Sequence, residues 1–293
     1  MTTSPPGNPI DVDPVPIDPI QEAGYNVRRL RPNFTDIIEG WARQSQAYRD
    51  RAKMRSHAYG PGERDRLDLF SCGSPGAPLL VFLHGGYWQS GDRSIYSFLA
   101  DAFTKSGVDM ALVGYPLCPD VTLSHIVETT QRAMIWLWKY ADEVGVCRDR
   151  INLCGHSAGG HLTGAGIATA WPSLAPGLPD DLIKTAIPIS GVFQVEPLRY
   201  TTIGAALHLS EAEANRVSPL FQDPKGDPKC LVIVGEAETD LFHWQSDQLV
   251  ERWGPKLTTI ERFNAPKADH FDIIDHLGDA DSALFKRLRG WLD

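Results

Sequence analysis

From about residue 60 onward, short apolar runs alternate with longer stretches in which apolar residues recur every three or four positions. The short runs, such as LLVFL at 79–83 and CLVIV at 230–234, have the pattern of parallel strands buried on both faces. Runs of this kind predict strands at 66–70, 79–84, 110–115, 150–154, 185–190, 230–235 and 258–263. The longer stretches predict helices at about 92–106, 122–144, 159–171, 243–254 and 279–292. This alternation predicts an α/β fold, a doubly wound and mostly parallel sheet flanked by helices.

Two segments depart from this pattern. Residues 1–24 are rich in proline and poor in large apolar side chains, so we expect a proline-rich N-terminal arm that is extended or disordered. Residues 25–293 then form a single domain, whose first helix we place at about 33–57, with Thr35 or Asp36 as its cap. Residues 191–229 contain no strand-like run and only a short helical patch at 209–215, which predicts a cap-like insertion over the sheet edge.

Composition narrows the possible functions. The chain has 28 Lys and Arg against 37 Asp and Glu, a formal charge of −9, and no basic cluster, which argues against a nucleic-acid partner. No apolar run is long enough for a membrane helix, and the first residues lack a secretory signal pattern, so we expect a cytoplasmic protein. The five cysteines form no CxxC pair and are predicted to be reduced, and without an HExxH motif we expect neither a metal nor a cofactor.

The strongest chemical signal is the pentapeptide GHSAG at 155–159. It lies directly after a predicted strand and before a predicted helix, which is the context of a serine nucleophile elbow. Gly155 and Gly159 supply the small neighbours that such a strained turn requires. The turn would lift the Ser157 hydroxyl above the sheet at a helix N-terminus, where backbone N–H groups favour developing negative charge.

A second signal, HGGYW at 84–88, directly follows another predicted strand. Two glycines after a strand let the backbone approach a ligand closely, and a loop of this type supplies N–H donors to an oxyanion. We assign these donors to Gly86 and Tyr87, together with Ala158, the residue after the serine. The sequence leaves open whether Gly85 replaces one of them.

A serine hydroxyl needs a base, and in this arrangement the order along the chain is serine, acid, histidine. Well beyond Ser157 lie His208, His243, His270 and His276. We favour His270, because it follows the last predicted strand and precedes the last predicted helix, where a loop can reach across the top of the sheet.

The acid is expected in the turn after the strand CLVIVG, where three carboxylates compete. The acid commonly lies three residues after the glycine that ends the strand, and Gly235 therefore favours Glu238. Asp240 has the more usual residue type but lies two positions later, and Glu236 is the weakest candidate. The chosen carboxylate would hold the tautomer of His270 and stabilise its charged form.

With these motifs in place, the chain resembles the kynurenine formamidase (arylformamidase) group of the α/β-hydrolase superfamily, whose esterase-like members carry an HGGxW string. The likeness covers roughly residues 25–290. The matching strings are HGGYWQSG (84–91), YPLCPDVTLSHIVE (115–128), LCGHSAGGHL (153–162), SGVFQVEPL (190–198), FHWQS (242–246) and DHFDII (269–274).

The resemblance implies hydrolysis of N-formyl-L-kynurenine to L-kynurenine and formate, with Ser157 and His270 as catalytic residues and no cofactor. It places the acid four positions before Phe242, at Glu238, where animal members have aspartate. Tyr87, Trp88 and Trp244 lie near the expected site in sequence, and we predict that they pack against the substrate ring. Arg199 is a candidate for the charged end of the substrate.

Three other functions fit the same motifs. The first is a broad small-acyl carboxylesterase, and the second is another amidase or carbamate hydrolase, because the catalytic groups do not define the leaving group. The third is a non-catalytic binding protein of the same fold, which the filled triad positions argue against. The expected partner is a small aromatic formamide or ester, and the sequence leaves open whether the chain forms a homodimer.

Overall fold

An eight-stranded sheet forms the centre of the protein in a computed structural model that describes residues 15–292. The strands are β1 (Met54–Ala58), β2 (Arg66–Phe70), β3 (Leu79–Leu83), β4 (Asp109–Val113), β5 (Ile151–His156), β6 (Thr185–Ile189), β7 (Lys229–Gly235) and β8 (Ile260–Ala265). Their order is β1-β2-β4-β3-β5-β6-β7-β8; β3 to β8 run parallel, and β2 is antiparallel to both of its neighbours. The predicted doubly wound, mostly parallel sheet is therefore confirmed.

Helices flank this sheet. They are α1 (Pro19–Tyr25), α2 (Val27–Leu30), α3 (Phe34–Arg49), α4 (Leu99–Lys105), α5 (Leu123–Lys139), α6 (Ala141–Val144), α7 (Ala158–Ile167), α8 (Glu211–Val217), α9 (Asp240–Trp253), α10 (Asp272–Gly278) and α11 (Ala283–Arg289). Helix α7 packs on β3, β5 and β6, and α9 packs on β7 and β8. Every residue of β3 is buried, as is every residue of β7 after Lys229, which explains the continuous apolar runs in these two strands.

All seven predicted strands are present with small shifts at their ends, but β1 was not predicted. Its sequence MRSHA has no apolar alternation, because it is a partly exposed edge strand that pairs only with β2. The helix predicted at 33–57 was therefore too long: α3 ends at Arg49 and β1 begins at Met54.

The prediction of an extended or disordered arm was wrong for the residues after 18. Helix α1 begins at Pro19, and the Asp18 carboxylate caps it by accepting hydrogen bonds from the amides of Ile20 (2.7 Å) and Gln21 (3.0 Å). Proline suits the first helical position, since its missing N–H would have no partner there. Tyr25 at the end of this helix is buried. Residues 1–14 of the predicted arm lie outside the described residues.

The segment 18–31, here called the N-terminal segment, is bonded to distant loops. The Glu22 carboxylate accepts hydrogen bonds from the Thr202 amide (2.8 Å) and hydroxyl (2.7 Å) in the predicted cap region. The Thr239 hydroxyl donates to the Gly24 carbonyl over 2.8 Å. These bonds fix the segment across one edge of the sheet.

The predicted insertion at 191–229 contains no strand before Lys229, where β7 begins; it forms helix α8 and three short 3-10 turns. All five cysteines are free thiols, and Cys118, Cys154 and Cys230 are buried. Among residues 15–292, no helix combines the length and the apolar character needed to cross a bilayer.

Candidate active site

The site lies at the carboxyl ends of the parallel strands, beside the point where the strand order reverses. Strands β3 and β5 are neighbours there, with Leu83 opposite Gly155 in the register. Open α/β sheets bind ligands in the crevice that this reversal creates. The loop at 84–88, here called the oxyanion loop, therefore begins next to the turn that carries Ser157.

The backbone at Ser157 is strained, as the elbow prediction requires. Its φ is 57° and its ψ is −113°, outside the regions that non-glycine residues usually occupy. The turn is possible only because Gly159 has no side chain: a Cβ there would lie 1.9 Å from the Leu83 carbonyl oxygen. Helix α7 starts directly after the serine, so the hydroxyl stands at a helix N-terminus.

The structure brings the serine, the favoured histidine and the favoured acid into one hydrogen-bonded chain. Ser157 Oγ lies 2.9 Å from His270 Nε2. His270 Nδ1 lies 2.6 Å from Glu238 Oε2, in a pair that is almost completely buried. Because β7 and β8 are adjacent, the loops that carry Glu238 and His270 meet above the same edge of the sheet.

The second oxygen of Glu238 is also bonded. Glu238 Oε1 accepts hydrogen bonds from the Ser190 hydroxyl (2.5 Å) and from the Gly235 amide (2.8 Å). The sequence analysis did not predict Ser190 as a site residue. Ser190 directly follows β6, and β6 lies between the strands that lead to Ser157 and to Glu238, so its position after that strand could have identified it. These two donors fix the orientation of the carboxylate, so that Oε2 stays directed at His270.

The competing residues lie elsewhere. Asp240 is the exposed first residue of α9, and the exposed Glu236 accepts a hydrogen bond from the Lys267 amide. Among the other histidines, His208 is exposed and His243 Nδ1 faces the Arg262 guanidinium at 2.7 Å. His276 lies near the end of α10, half-exposed.

The oxyanion loop has an unusual backbone. Gly86, Tyr87 and Trp88 all have positive φ, of 124°, 54° and 57°. Within residues 15–292, the amides of Gly86, Tyr87 and Ala158 donate to no protein acceptor, which leaves three N–H groups beside Ser157. Burial raises the pKa of the Tyr96 phenol, and the N–H of Gly85 opposes this rise.

A cavity of about 350 Å³ opens in front of Ser157. Its walls are mainly apolar and include the aromatic side chains of Phe34, Trp41, Tyr87, Tyr96 and Phe271. Such a volume lies within the range of small-molecule sites. The wall formed by α2 and α3 was not foreseen, because no sequence motif connects residues 27–41 with the serine.

Of the three aromatic residues predicted to hold the substrate, only Tyr87 lines this cavity. Trp88 is 1% exposed and packs edge-on against His161, with ring centroids 5.0 Å apart. Trp244 is 39% exposed on the outer face of α9. Arg199 donates to the Leu209 carbonyl within the predicted cap region and is likewise absent from the lining.

Tyr87 also connects the oxyanion loop to the N-terminal segment. Its hydroxyl donates to the Tyr25 carbonyl (2.7 Å) and accepts from the Val27 amide (3.1 Å). Burial raises the pKa of this phenol, which therefore stays neutral and keeps its donor. The hydroxyl thus fixes the position of the cavity wall relative to the oxyanion donors.

Arg31 connects the same segment to the loop of the histidine. Its guanidinium pairs with Asp269 and with Asp272, the latter at 2.6 Å between Nη2 and Oδ1. Asp269 Oδ1 accepts hydrogen bonds from the Phe271 and Asp272 amides, each at 2.8 Å. The residues on either side of His270 are therefore restrained by a charged network.

Three buried histidines surround this centre in neutral form. Burial lowers the pKa of His84 and of His161 to about 4, and it lowers the pKa of His156 well below its usual value. His161 Nε2 contacts the Val217 carbonyl at 2.8 Å, and the His84 ring stacks on Tyr115 with centroids 4.2 Å apart. Neither contact stabilises the protonated ring enough to offset its desolvation.

We expect the free energy of unfolding to fall by a few kcal/mol as the pH is lowered from 6.5 towards 4. In this window the unfolded chain binds protons at His84 and His161 that the folded protein does not bind. Urea unfolding at several pH values measures the slope. His161→Gln, which keeps a donor but does not titrate, should make the slope shallower, and the control His208→Asn at an exposed position should not. An unchanged slope in His161→Gln would contradict the assignment.

Among residues 15–292, no group of three or more His, Cys, Asp or Glu side chains has an arrangement suited to a metal ion.

The chain is similar to known hydrolases in sequence. The family model BD-FAE matches residues 67–170, which include the oxyanion loop and the elbow. Kynurenine formamidase of Salmo salar is 31% identical over 243 residues, covering 78% of this chain and 79% of that protein. Kynurenine formamidase of Danio rerio is 28% identical over 283 residues, covering 91% of this chain and 94% of that protein.

A solved structure extends the comparison to three dimensions. A putative thioesterase from Silicibacter sp. TM1040 superposes with a TM-score of 0.81 at 29% identity, covering 92% of this chain and 98% of that one. A likeness over 92% of the chain extends well beyond the residues 67–170 that the family model matches.

Proposed function

Because the chain belongs to the kynurenine formamidase family of α/β-hydrolases, we propose that it hydrolyses N-formyl-L-kynurenine to L-kynurenine and formate. Ser157 is the nucleophile, His270 the general base and acid, and Glu238 the carboxylate that orients the histidine. The observation that carries this assignment is the continuous chain from Ser157 Oγ to His270 Nε2 (2.9 Å) and from His270 Nδ1 to Glu238 (2.6 Å).

In the acylation step, His270 Nε2 takes the Ser157 proton while Oγ attacks the formyl carbon. The carbonyl oxygen gains the negative charge and is stabilised by the amides of Gly86, Tyr87 and Ala158. Because these donors already have free N–H groups in fixed positions, no reorganisation is needed when the charge develops. Loss of one such donor typically costs about 100- to 1,000-fold in rate.

The bond between the formyl carbon and the aryl nitrogen then breaks. His270 returns its proton to that nitrogen, so that the neutral aromatic amine leaves and a formyl ester remains on Ser157. Water is deprotonated by the same histidine and attacks this ester, which releases formate and restores the serine. Glu238 stabilises the imidazolium in both halves and keeps Nε2 directed at the serine.

The cavity supports an aromatic substrate. Its walls are rings and aliphatic side chains, which suit the aryl ketone of formylkynurenine. The acyl group that enters the reaction carries only hydrogen, so it needs little space beside the strained elbow. The free cysteines also support our prediction of a reducing, cytoplasmic setting.

A second candidate function is a small-acyl carboxylesterase, which the apolar walls of the same cavity favour. The two are separated by the ratio of kcat/KM for N-formyl-L-kynurenine to that for p-nitrophenyl acetate, measured with one enzyme preparation. We expect a ratio well above one. A ratio below one would contradict the formamidase assignment and favour the esterase.

A further inference from the structure

We propose that Arg28 binds the α-carboxylate of the substrate and thereby selects an amino-acid substrate over a neutral one. The proposal rests on the proposed function, since formylkynurenine carries an α-carboxylate and an α-ammonium at the end remote from the formamide. A site with only apolar walls would leave both charges without partners, at a cost in binding free energy. The cavity must therefore supply at least one matching group.

Arg28 meets the chemical requirement. It is half-buried, it lines the same cavity as Ser157, and it is the only arginine or lysine in the described lining. A guanidinium offers two parallel N–H groups to a carboxylate, which gives a stronger and more directional pair than a single donor.

The guanidinium is held in place before any substrate binds. Its Nη2 donates to Ser90 Oγ at 2.7 Å, and Ser90 Oγ in turn donates to the Gly86 carbonyl at 3.1 Å. Its carbon lies 5.6 Å from the centroid of the Phe34 ring and 5.1 Å from that of the Tyr87 ring. The side chain is therefore ordered by two aromatic faces and one hydroxyl, so little rotamer entropy is lost on binding.

Within residues 15–292, Arg28 has no carboxylate partner, although its neighbours do. Arg29 pairs with Glu22 at 3.2 Å, and Arg31 pairs with Asp272 at 2.6 Å and with Asp269. A half-buried guanidinium directed at a cavity and lacking an anion is a ready receptor for one.

The carboxylate found in the same lining lies on another element. Glu39 of α3 is exposed and makes only a loose surface pair with Arg43, at 3.7 Å. A negative group at the mouth and a positive group beside the oxyanion loop match the two charges of a zwitterionic amino acid. We therefore place the substrate ammonium towards Glu39.

The test compares a charged and a neutral substrate that share the reacting part. N-formyl-L-kynurenine and ortho-formamidoacetophenone both carry an aryl formamide beside a ketone, but only the first has the amino-acid group. In Arg28→Gln we expect kcat/KM for formylkynurenine to fall roughly 10- to 100-fold, mainly through KM, and that for the neutral formamide to change less than about threefold. Arg28→Lys, which keeps the charge but not the fork, should recover part of the loss.

Product binding gives an independent measurement. Inhibition by L-kynurenine should weaken in Arg28→Gln by a similar factor, whereas inhibition by ortho-aminoacetophenone should not. Arg29→Gln, at the adjacent exposed arginine, is the matched control and should leave both substrates within about twofold.

Each contrary outcome has a distinct meaning. An equal loss for both substrates would show that Arg28 only supports the oxyanion loop through Ser90, and the carboxylate proposal would be wrong. No loss for either would also overturn it. If the wild-type enzyme fails to hydrolyse formylkynurenine, the proposed function itself is wrong. If the wild-type enzyme hydrolyses formylkynurenine and Arg28→Gln keeps the same preference for it over the neutral formamide, only the role of Arg28 is wrong.

Discussion

Ser157→Ala should lower kcat/KM at least about 10⁴-fold for formamide and ester substrates alike. The covalent route begins with the Ser157 oxygen, which the variant lacks. The amides of Gly86, Tyr87 and Ala158 remain, but they can then stabilise only a direct attack of water on the substrate. Steady-state assays with N-formyl-L-kynurenine and p-nitrophenyl acetate measure the loss. Both activities depend on the same hydroxyl, so both should disappear together.

Ser173→Ala is a suitable control for this experiment. Ser173 is exposed, and its hydroxyl donates only to the Ala170 carbonyl nearby, so activity should be unchanged. Thermal unfolding of Ser157→Ala should resemble that of the wild type, because the small hydroxyl is replaced by a smaller group. Retained turnover in a folded Ser157→Ala protein would overturn the whole catalytic assignment.

Glu238→Gln should lower kcat roughly 10³- to 10⁴-fold. The amide has no charge to stabilise the imidazolium, and its NH₂ group can donate to His270 Nδ1 and so favour the wrong tautomer. Asp240→Asn, two positions later on the exposed start of α9, should change kcat less than about twofold. The pair of variants decides between the two carboxylates that the sequence left open.

The length of the acid side chain can be tested at the same position. Glu238→Asp introduces the residue that the resemblance assigns to animal members, one methylene shorter. We expect partial activity, because the shorter carboxylate loses reach to His270 Nδ1, Ser190 or the Gly235 amide, all of which Glu238 contacts at 2.5–2.8 Å. Loss of activity in Asp240→Asn with full activity in Glu238→Gln would show that the acid is misassigned.

Much of the fold could be predicted because its signals are local. Strand β3 is a continuous apolar run, β5 is fully buried, and each of them ends at a glycine-containing motif of known geometry. His270 could be favoured from chain order alone, because the carboxyl ends of parallel strands meet at one edge. The spacing after Gly235 favoured Glu238 but left Asp240 open, and the 2.6 Å contact between Glu238 and His270 Nδ1 distinguishes the two carboxylates.

The aromatic residues show where sequence proximity fails. Helix α9 buries Phe242, Gln245, Ser246, Leu249 and Trp253, which form one face at helical spacing, so Trp244 must point outward. Trp88 follows two residues with positive φ, and that turn directs its ring into the core against His161. The direction in which the side chain of Trp88 or Trp244 points cannot be predicted from the position of the residue in a motif.

The prediction of an extended or disordered arm was wrong for the N-terminal segment because it relied on the many prolines and overlooked a short helix signal. Asp18 followed by Pro19 is itself a helix start, but seven residues are too few for periodicity to reveal the buried Tyr25. Arg28 had no motif at all. Its place in the cavity depends on contacts with Phe34, Tyr87 and Ser90, two of which lie about sixty positions away in the sequence.

The bonds of the N-terminal segment set an order of assembly during synthesis. Arg31 is synthesised long before its partners Asp269 and Asp272, which are 238 and 241 positions further along the chain. The wall of the catalytic pocket therefore cannot close until residues 269–272 have been synthesised. A nascent chain that still lacks Glu238 and His270 carries the serine without the groups that activate it, so hydrolysis can begin only after these late loops have been made and have folded against the early segment.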